Sequence, residues 1–223
     1  MSVLTHILLD SGKAPQHSVI WLHGLGADGS DFVPMVEELK LPVPVRFLFP
    51  HAPMRPVTIN GGFVMRAWYD IVATDIGAKQ DSRAIRNSQA ELEKLIAMEV
   101  ARGVAPEHIF LAGFSQGGAI VLHTGLRHAA KLGGILALST YLPLADTLAD
   151  EASAAARATP IFMAHGRSDP VVPYALGKLS EERLLAHGCT LEWHEYAMPH
   201  SVCQPEIADI ERWLIQQLSA NPA

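Results

Sequence analysis

The chain has 223 residues, of which 49% are hydrophobic and 18% charged, with a formal net charge of −6. That length and apolar content suit one sizeable core, so residues 1–223 are expected to form a single domain. The acidic balance without any Lys/Arg cluster argues against nucleic-acid binding, and no apolar run approaches the roughly 18 residues needed for stable membrane insertion.

The N-terminal MSVLTHILLDSG has neither a basic n-region nor a long apolar h-region, so no signal peptide is expected. The two cysteines, Cys189 and Cys203, suggest neither a disulfide scaffold nor a zinc site. A cytoplasmic protein is the default reading.

Residues 3–9 read as a first strand and 18–22, SVIWL, as a second. The second runs into His23-Gly24-Leu25-Gly26-Ala27-Asp28-Gly29, a glycine-rich segment at the carboxyl edge of a buried strand. Its glycine spacing does not match the dinucleotide fingerprint, and a loop with inward N–H groups or a plain turn both fit. A short helix is expected over 31–40, capped by Ser30, with Phe32, Met35, Val36 and Leu39 on one face. Residues 45–49 form another apolar strand. The stretch from 50 to about 80 is rich in Pro and Gly, with a turn at Asn60-Gly61-Gly62 between short β segments. A loop this long is usually functional, and it suits the wall of a cleft. A long helix is expected over 81–102, capped by Asp81 or Ser82, with Ile85, Leu92, Leu95, Ile96 and Val100 inward and Gly103 as its stop.

Residues 109–112 are all apolar and suit a strand buried on both faces. Gly113-Phe114-Ser115-Gln116-Gly117-Gly118 follows, and then a helical pattern to about residue 130. Strand, sharp turn and helix are the context that makes G-x-S-x-G a nucleophile elbow. A Cβ at Gly113 or Gly117 should collide with the opposite arm of the turn. Ser115 at the tip should be strained, near a helix N-terminus that favours negative charge.

Residues 134–138 form the next buried strand. Residues 144–158 read as a solvated helix or a mobile segment. A strand over 161–164 precedes His165-Gly166-Arg167-Ser168-Asp169-Pro170, and a helix over 174–187 ends at Gly188. Residues 190–196 read as an edge-side strand and 197–202 as a loop holding His200. A last helix runs from Pro205 to about Leu218. Strands alternate with helices throughout, which predicts an α/β fold with a mostly parallel central sheet and helices on both faces.

A serine hydroxyl needs an adjacent base, and a histidine serves when a carboxylate holds its other nitrogen. In the α/β-hydrolase order, acid and histidine follow the serine on loops after later strands, which Asp169 and His200 do. Each alone also fits an ordinary loop position, Asp169 as a turn residue before Pro170. Among the other histidines, His128 and His187 read as helix C-terminal residues, His123 lies in the elbow helix, and His194 lies inside a strand. His23 and His165 precede glycines and read as loop shapers, while His6, His17, His51 and His108 precede the serine. Among the acids, Asp146 and Asp150 fall in the expected helix, and Asp70 and Asp75 come before the elbow. The N–H of Gln116, after the nucleophile, should be one oxyanion donor. Leu25, in the early glycine-rich loop, is chosen as the other.

The strings LHGLGADG at 22–29, FPHAP at 49–53, NGG at 60–62, AWYDI at 67–71, GFSQGG at 113–118, HGRSDPVVP at 165–173 and MPHS at 198–201 resemble the phospholipase/carboxylesterase family. That family includes bacterial carboxylesterases and acyl-protein thioesterases. The likeness covers nearly the whole chain, with its motifs in order. It implies an α/β-hydrolase fold, a triad of Ser115, Asp169 and His200, and an oxyanion hole at the N–H groups of Leu25 and Gln116. The chemistry needs no metal or organic cofactor, and a homodimer is plausible on the resemblance alone. GADG after HGL resembles the bacterial esterase branch, whereas thioesterases acting on lipidated proteins more often carry a GDTG-like variant. The expectation is a serine carboxylesterase for short- to medium-chain acyl esters. An acyl-protein thioesterase or lysophospholipase for longer chains is the alternative, and a non-catalytic binding protein on the same fold is the rival from another class.

Overall fold

The computed structural model describes residues 3–73 and 80–222. The first half contains β1 (His6–Asp10), β2 (His17–Leu22), α1 (Met35–Glu38), β3 (Val45–Pro50), β4 (Met54–Val57), β5 (Phe63–Arg66) and α2 (Ser82–Ala101). The second contains β6 (Ile109–Phe114), α3 (Gln116–Gly125), β7 (Gly134–Leu138), α4 (Leu148–Glu151), β8 (Ile161–Gly166), α5 (Tyr174–Ala186), β9 (Leu191–Tyr196) and α6 (Gln204–Ala220).

Seven strands form one sheet in the order β1-β3-β2-β6-β7-β8-β9, parallel except for β1, while β4 and β5 make a separate antiparallel hairpin. The central strands are apolar at nearly every position because both faces are covered. On β2, Ile20 and Leu22 join α2 and α3 on one face, while Val19 and Trp21 join α1 and α6 on the other. On β6, Ile109 and Leu111 take the first face, Phe110 and Ala112 the second. The sheet's carboxyl edge is thus the rim left for loops, and β2, β6 and β8 all end there in glycine-containing turns.

Several expected elements change in extent. The helix expected over 31–40 is only Met35–Glu38, because Pro34 sits at its start and residues 30–34 form turns instead. Its four apolar residues are nonetheless buried as the spacing predicts. Ser30 caps no helix, since its N–H and hydroxyl both turn back to Asp28 Oδ1. The helix expected over 144–158 shrinks to α4, preceded by the 3₁₀ turn Ala145–Thr147 and by Leu144 with φ +49°. In α2, Asp81 caps by accepting the Ala84 N–H, but Val100 is 42% exposed rather than inward. The elbow helix ends at Gly125, and β1 starts at His6 rather than residue 3. The Asn60-Gly61-Gly62 turn joins β4 to β5 as expected.

Candidate active site

The elbow has the strain that crowding demands. Ser115 adopts φ +53°, ψ −120°, a conformation that costs a non-glycine residue about 1–3 kcal/mol. Neighbouring β7 holds the tip, because the Ser115 N–H donates to Leu138 O at 2.8 Å and Thr140 Oγ1 donates to Ser115 O at 2.6 Å. A Cβ on Gly113 would lie 2.5 Å from the Gly117 carbonyl, the expected clash between the two arms. Gly117 differs from expectation. Its Cβ would strike the end of β2, against Leu22 O and 2.6 Å from His23 O. That glycine therefore lets the elbow press against the loop that carries Leu25.

Asp169 and His200 meet. The His200 Nδ1–H donates to Asp169 Oδ2 at 2.7 Å, and Asp169 Oδ1 accepts the N–H groups of Val171 and Val172 at 2.8 and 2.9 Å. His165 supports the same carboxylate from below. Its Nε2 lies 3.5 Å from Asp169 Oδ2 and donates to Val172 O at 2.9 Å. Burial lowers the pKa of His165, which keeps it a neutral prop beside the acid. On the other side, the His200 ring packs on Phe114, centroids 4.7 Å apart, next to the serine in sequence. Among the described residues no hydrogen bond joins the Ser115 hydroxyl to His200, and such contacts commonly tighten only when substrate is bound.

Ser115, Leu25 and Gln116 line one cavity of about 430 Å³, walled by Ile59, Tyr69, Ile71, Tyr141 and the 170–172 turn. Gln116 is the first residue of α3, so its N–H has no intrahelical acceptor. The Leu25 N–H has no acceptor among the described residues, although the backbone on both sides of it is pinned. The Gly26 N–H donates to Arg66 O at 2.9 Å, and the His23 Nδ1–H donates to Gly24 O at 2.7 Å. His23 Nε2 accepts the Ala52 N–H at 3.1 Å, and burial lowers its pKa, so it shapes the loop as a neutral ring. Tyr69 and Tyr141 share a hydroxyl–hydroxyl hydrogen bond of 2.9 Å, and burial pushes the Tyr141 phenol up to about 12.

The remaining candidates have other occupations. Asp70 accepts from Thr58 N and Oγ1, fastening the 3₁₀ turn Thr58–Asn60 to the cavity wall. His128 pairs with Glu93 at 2.8 Å, and Asp146 pairs with Arg183 at 3.1 Å. His123 is buried in α3. Asp75 lies outside the described residues. Sequence reasoning missed the side chain of Gln116, Trp68 and Phe114, none of which carries a chemical signature of its own.

The profile of the phospholipase/carboxylesterase family matches residues 6–218. An acyl-protein thioesterase 1 of Gibberella zeae is 41% identical over 218 residues, covering 92% of this chain and 93% of that one. The crystal structure of Arabidopsis thaliana SOBER1 superposes with a TM-score of 0.86 at 33% identity, over 91% of this chain and 99% of that one. That of Zea mays acyl-protein thioesterase 2 gives 0.85 at 28% identity, over 96% and 99%.

Proposed function

Because the chain belongs to the phospholipase/carboxylesterase family and has the α/β-hydrolase fold, we propose that it is a serine hydrolase of the acyl-protein thioesterase type, cleaving acyl thioesters through an acyl-enzyme on Ser115. The observation that carries the acyl-transfer chemistry is the Asp169–His200 pair packed against Phe114, beside a strained serine in a cavity also lined by Leu25 and Gln116, whose N–H groups have no acceptor among the described residues. His200 takes the Ser115 proton as the hydroxyl attacks the carbonyl. The N–H groups of Leu25 and Gln116 stabilise the resulting oxyanion. His200 then protonates the leaving group and later activates the water that frees the acid. Residues 1–223 act as one catalytic domain in this reading, and a cytoplasmic site of action remains part of it.

The preference for thioesters over simple esters departs from the expectation drawn from GADG at 26–29, and it rests on relatives that match over nearly the whole chain. Carboxylesterase action on short- to medium-chain esters is the second reading, favoured by that tetrapeptide and by the modest cavity volume of about 430 Å³. Purified protein would be assayed on matched acetyl, octanoyl and palmitoyl esters and thioesters. The first reading expects kcat/KM to be highest on the longer thioesters, and a maximum on short esters would replace it by the second. Ser115→Ala that kept most of the turnover, or a failure of fluorophosphonate to label Ser115, would sink both.

A further inference from the structure

Residues 67–71, Ala-Trp-Tyr-Asp-Ile, form a strap across the top of the site in which every residue makes a directional bond. The Ala67 N–H donates to Pro53 O at 3.1 Å, Asp70 holds Thr58, and Ile71 O accepts the Ile59 N–H at 2.9 Å. The middle of the strap touches both halves of the site. Gln116 Oε1 accepts the Trp68 N–H at 2.7 Å, and Gln116 Nε2 donates to Tyr69 O at 2.7 Å. Trp68 Nε1–H donates to His23 O at 2.9 Å, and Ser88 Oγ donates to Trp68 O. The residue whose N–H is one oxyanion donor is therefore tied, through its own side chain and then Trp68, to the loop bearing the other. Gln116, Trp68, Tyr69, His23 and Ser88 are all buried, so no water competes for these bonds.

We infer that the Gln116 side chain is a positioning residue, which fixes the spacing of the Leu25 and Gln116 N–H groups through Trp68 and aligns the Tyr69 wall of the cavity with them. The inference rests on the acyl-transfer reading above. Backbone donors act by being in place before charge develops, so loosening this tie should lower kcat while leaving KM nearly unchanged.

Gln116→Glu is the most discriminating variant. As a carboxylate it still accepts from Trp68 N but turns a second acceptor toward Tyr69 O, which breaks the tie. Once protonated, its hydroxyl donates to Tyr69 O and restores it. The titratable neighbours do not confuse the readout. His23 is fixed as a neutral ring, because its Nδ1–H donates to Gly24 O while its Nε2 accepts the Ala52 N–H, and burial pushes its pKa the same way; burial also pushes the Tyr69 and Tyr141 phenols up.

The experiment measures kcat and KM for wild type, Gln116→Glu, Gln116→Met and Trp68→Phe from pH 8 to 5.5, on one acyl thioester, with melting curves alongside. The expected kcat of Gln116→Glu is about 10- to 100-fold below wild type at pH 8. The ratio to wild type should climb at least about threefold as pH falls, with KM within about twofold. Trp68→Phe, which removes the bond to His23 O together with part of a buried ring but introduces no titratable group, should lose kcat without that pH response. A Gln116→Glu ratio that is flat with pH, or near one throughout, overturns the inference, even if Gln116→Met does not fold. Fluorophosphonate labelling of wild-type Ser115 separates the two claims: labelled, active wild type with indifferent Gln116 variants defeats only the positioning role, and unlabelled wild type defeats the acyl-transfer reading itself.

Discussion

Replacing Asp169 by Asn should nearly abolish turnover while leaving the fold intact, and the surrounding bonds say why. Two backbone N–H groups, from Val171 and Val172, point at Oδ1 at 2.8 and 2.9 Å. They demand an acceptor there, so the amide of Asp169→Asn must keep its oxygen on that side and turn its NH₂ toward His200. The 2.7 Å contact to Nδ1 then reverses direction, with the amide donating and the ring accepting. His200 is forced into the tautomer that carries its proton on Nε2, which can no longer take one from Ser115. Loss of the base in this way is worth about 10³–10⁴-fold in kcat, or about 4–5.5 kcal/mol of transition-state stabilisation. Stability should barely move, because both N–H groups keep their acceptor. Asp169→Ala provides the contrast: it strands both, at about 1–3 kcal/mol each, and should lower Tm by about 2–4 °C per kcal/mol in a chain of this size. The assay is steady-state hydrolysis of a chromogenic acyl ester or thioester, with thermal melts followed by circular dichroism. An Asp169→Asn variant within about threefold of wild type would refute the tautomer argument and reassign the acid.

Gly117→Ala places a methyl against the Leu22 and His23 carbonyls, so it should push the two donor loops apart and cost at least about 10² in kcat together with a lower Tm. Leu25→Pro removes one donor N–H outright and should lower kcat by about 10²–10³, read against a melting curve that reports any misfolding. His123 is held down to about 3 by its burial, with Arg127 and Arg86 adding to the effect, against 6.5 when unfolded. The unfolded chain binds the extra proton first, so this residue contributes stability above pH 6.5 that is lost as pH falls toward 3, by up to about 1.4 kcal/mol per pH unit. Urea midpoints between about pH 7 and 4 should therefore fall less steeply for His123→Leu than for wild type, and parallel slopes would contradict the assignment.

The sequence made the reactive residue types of this candidate site visible and hid the contacts around them, for a physical reason. An apolar run of four residues followed by closely spaced glycines cannot be much other than a buried strand entering a tight turn, so Ser115 could be placed before any coordinates. Asp169 and His200, each compatible alone with an ordinary loop position, stood out jointly because they follow Ser115 in the order acid, then histidine, on loops after later strands. The helices expected over 31–40 and 144–158 were overestimated because apolar spacing records which side chains are buried and not which backbone bonds form. Phe32, Met35, Val36 and Leu39 are buried as expected although Pro34 delays the helix. Val100 has the right spacing yet turns outward, because in the last turn of α2 the inward position is taken by Glu99, buried with Ser18 and Arg102 as its partners.

The supporting contacts lie on a different level. Gly117 is explained by the end of β2, a strand about 95 residues earlier in the chain, and Trp68 acts through one indole N–H on one distant carbonyl. Neither leaves a local pattern, since any residue of similar shape would give the same hydropathy. Yet in the positioning role inferred for Gln116 these bonds set whether two N–H groups contributed by separate loops face one point in space. Oxyanion stabilisation depends steeply on that alignment, because donors must already point at the charge that develops. In the proposed reaction the glycine-rich loop after β2, ambiguous by itself, serves because a second loop is held against it by Gly117 and by the strap. A search for reactive residue types alone would find the serine, acid and histidine, and would miss the contacts that, in the proposed reaction, hold the two oxyanion donors in place.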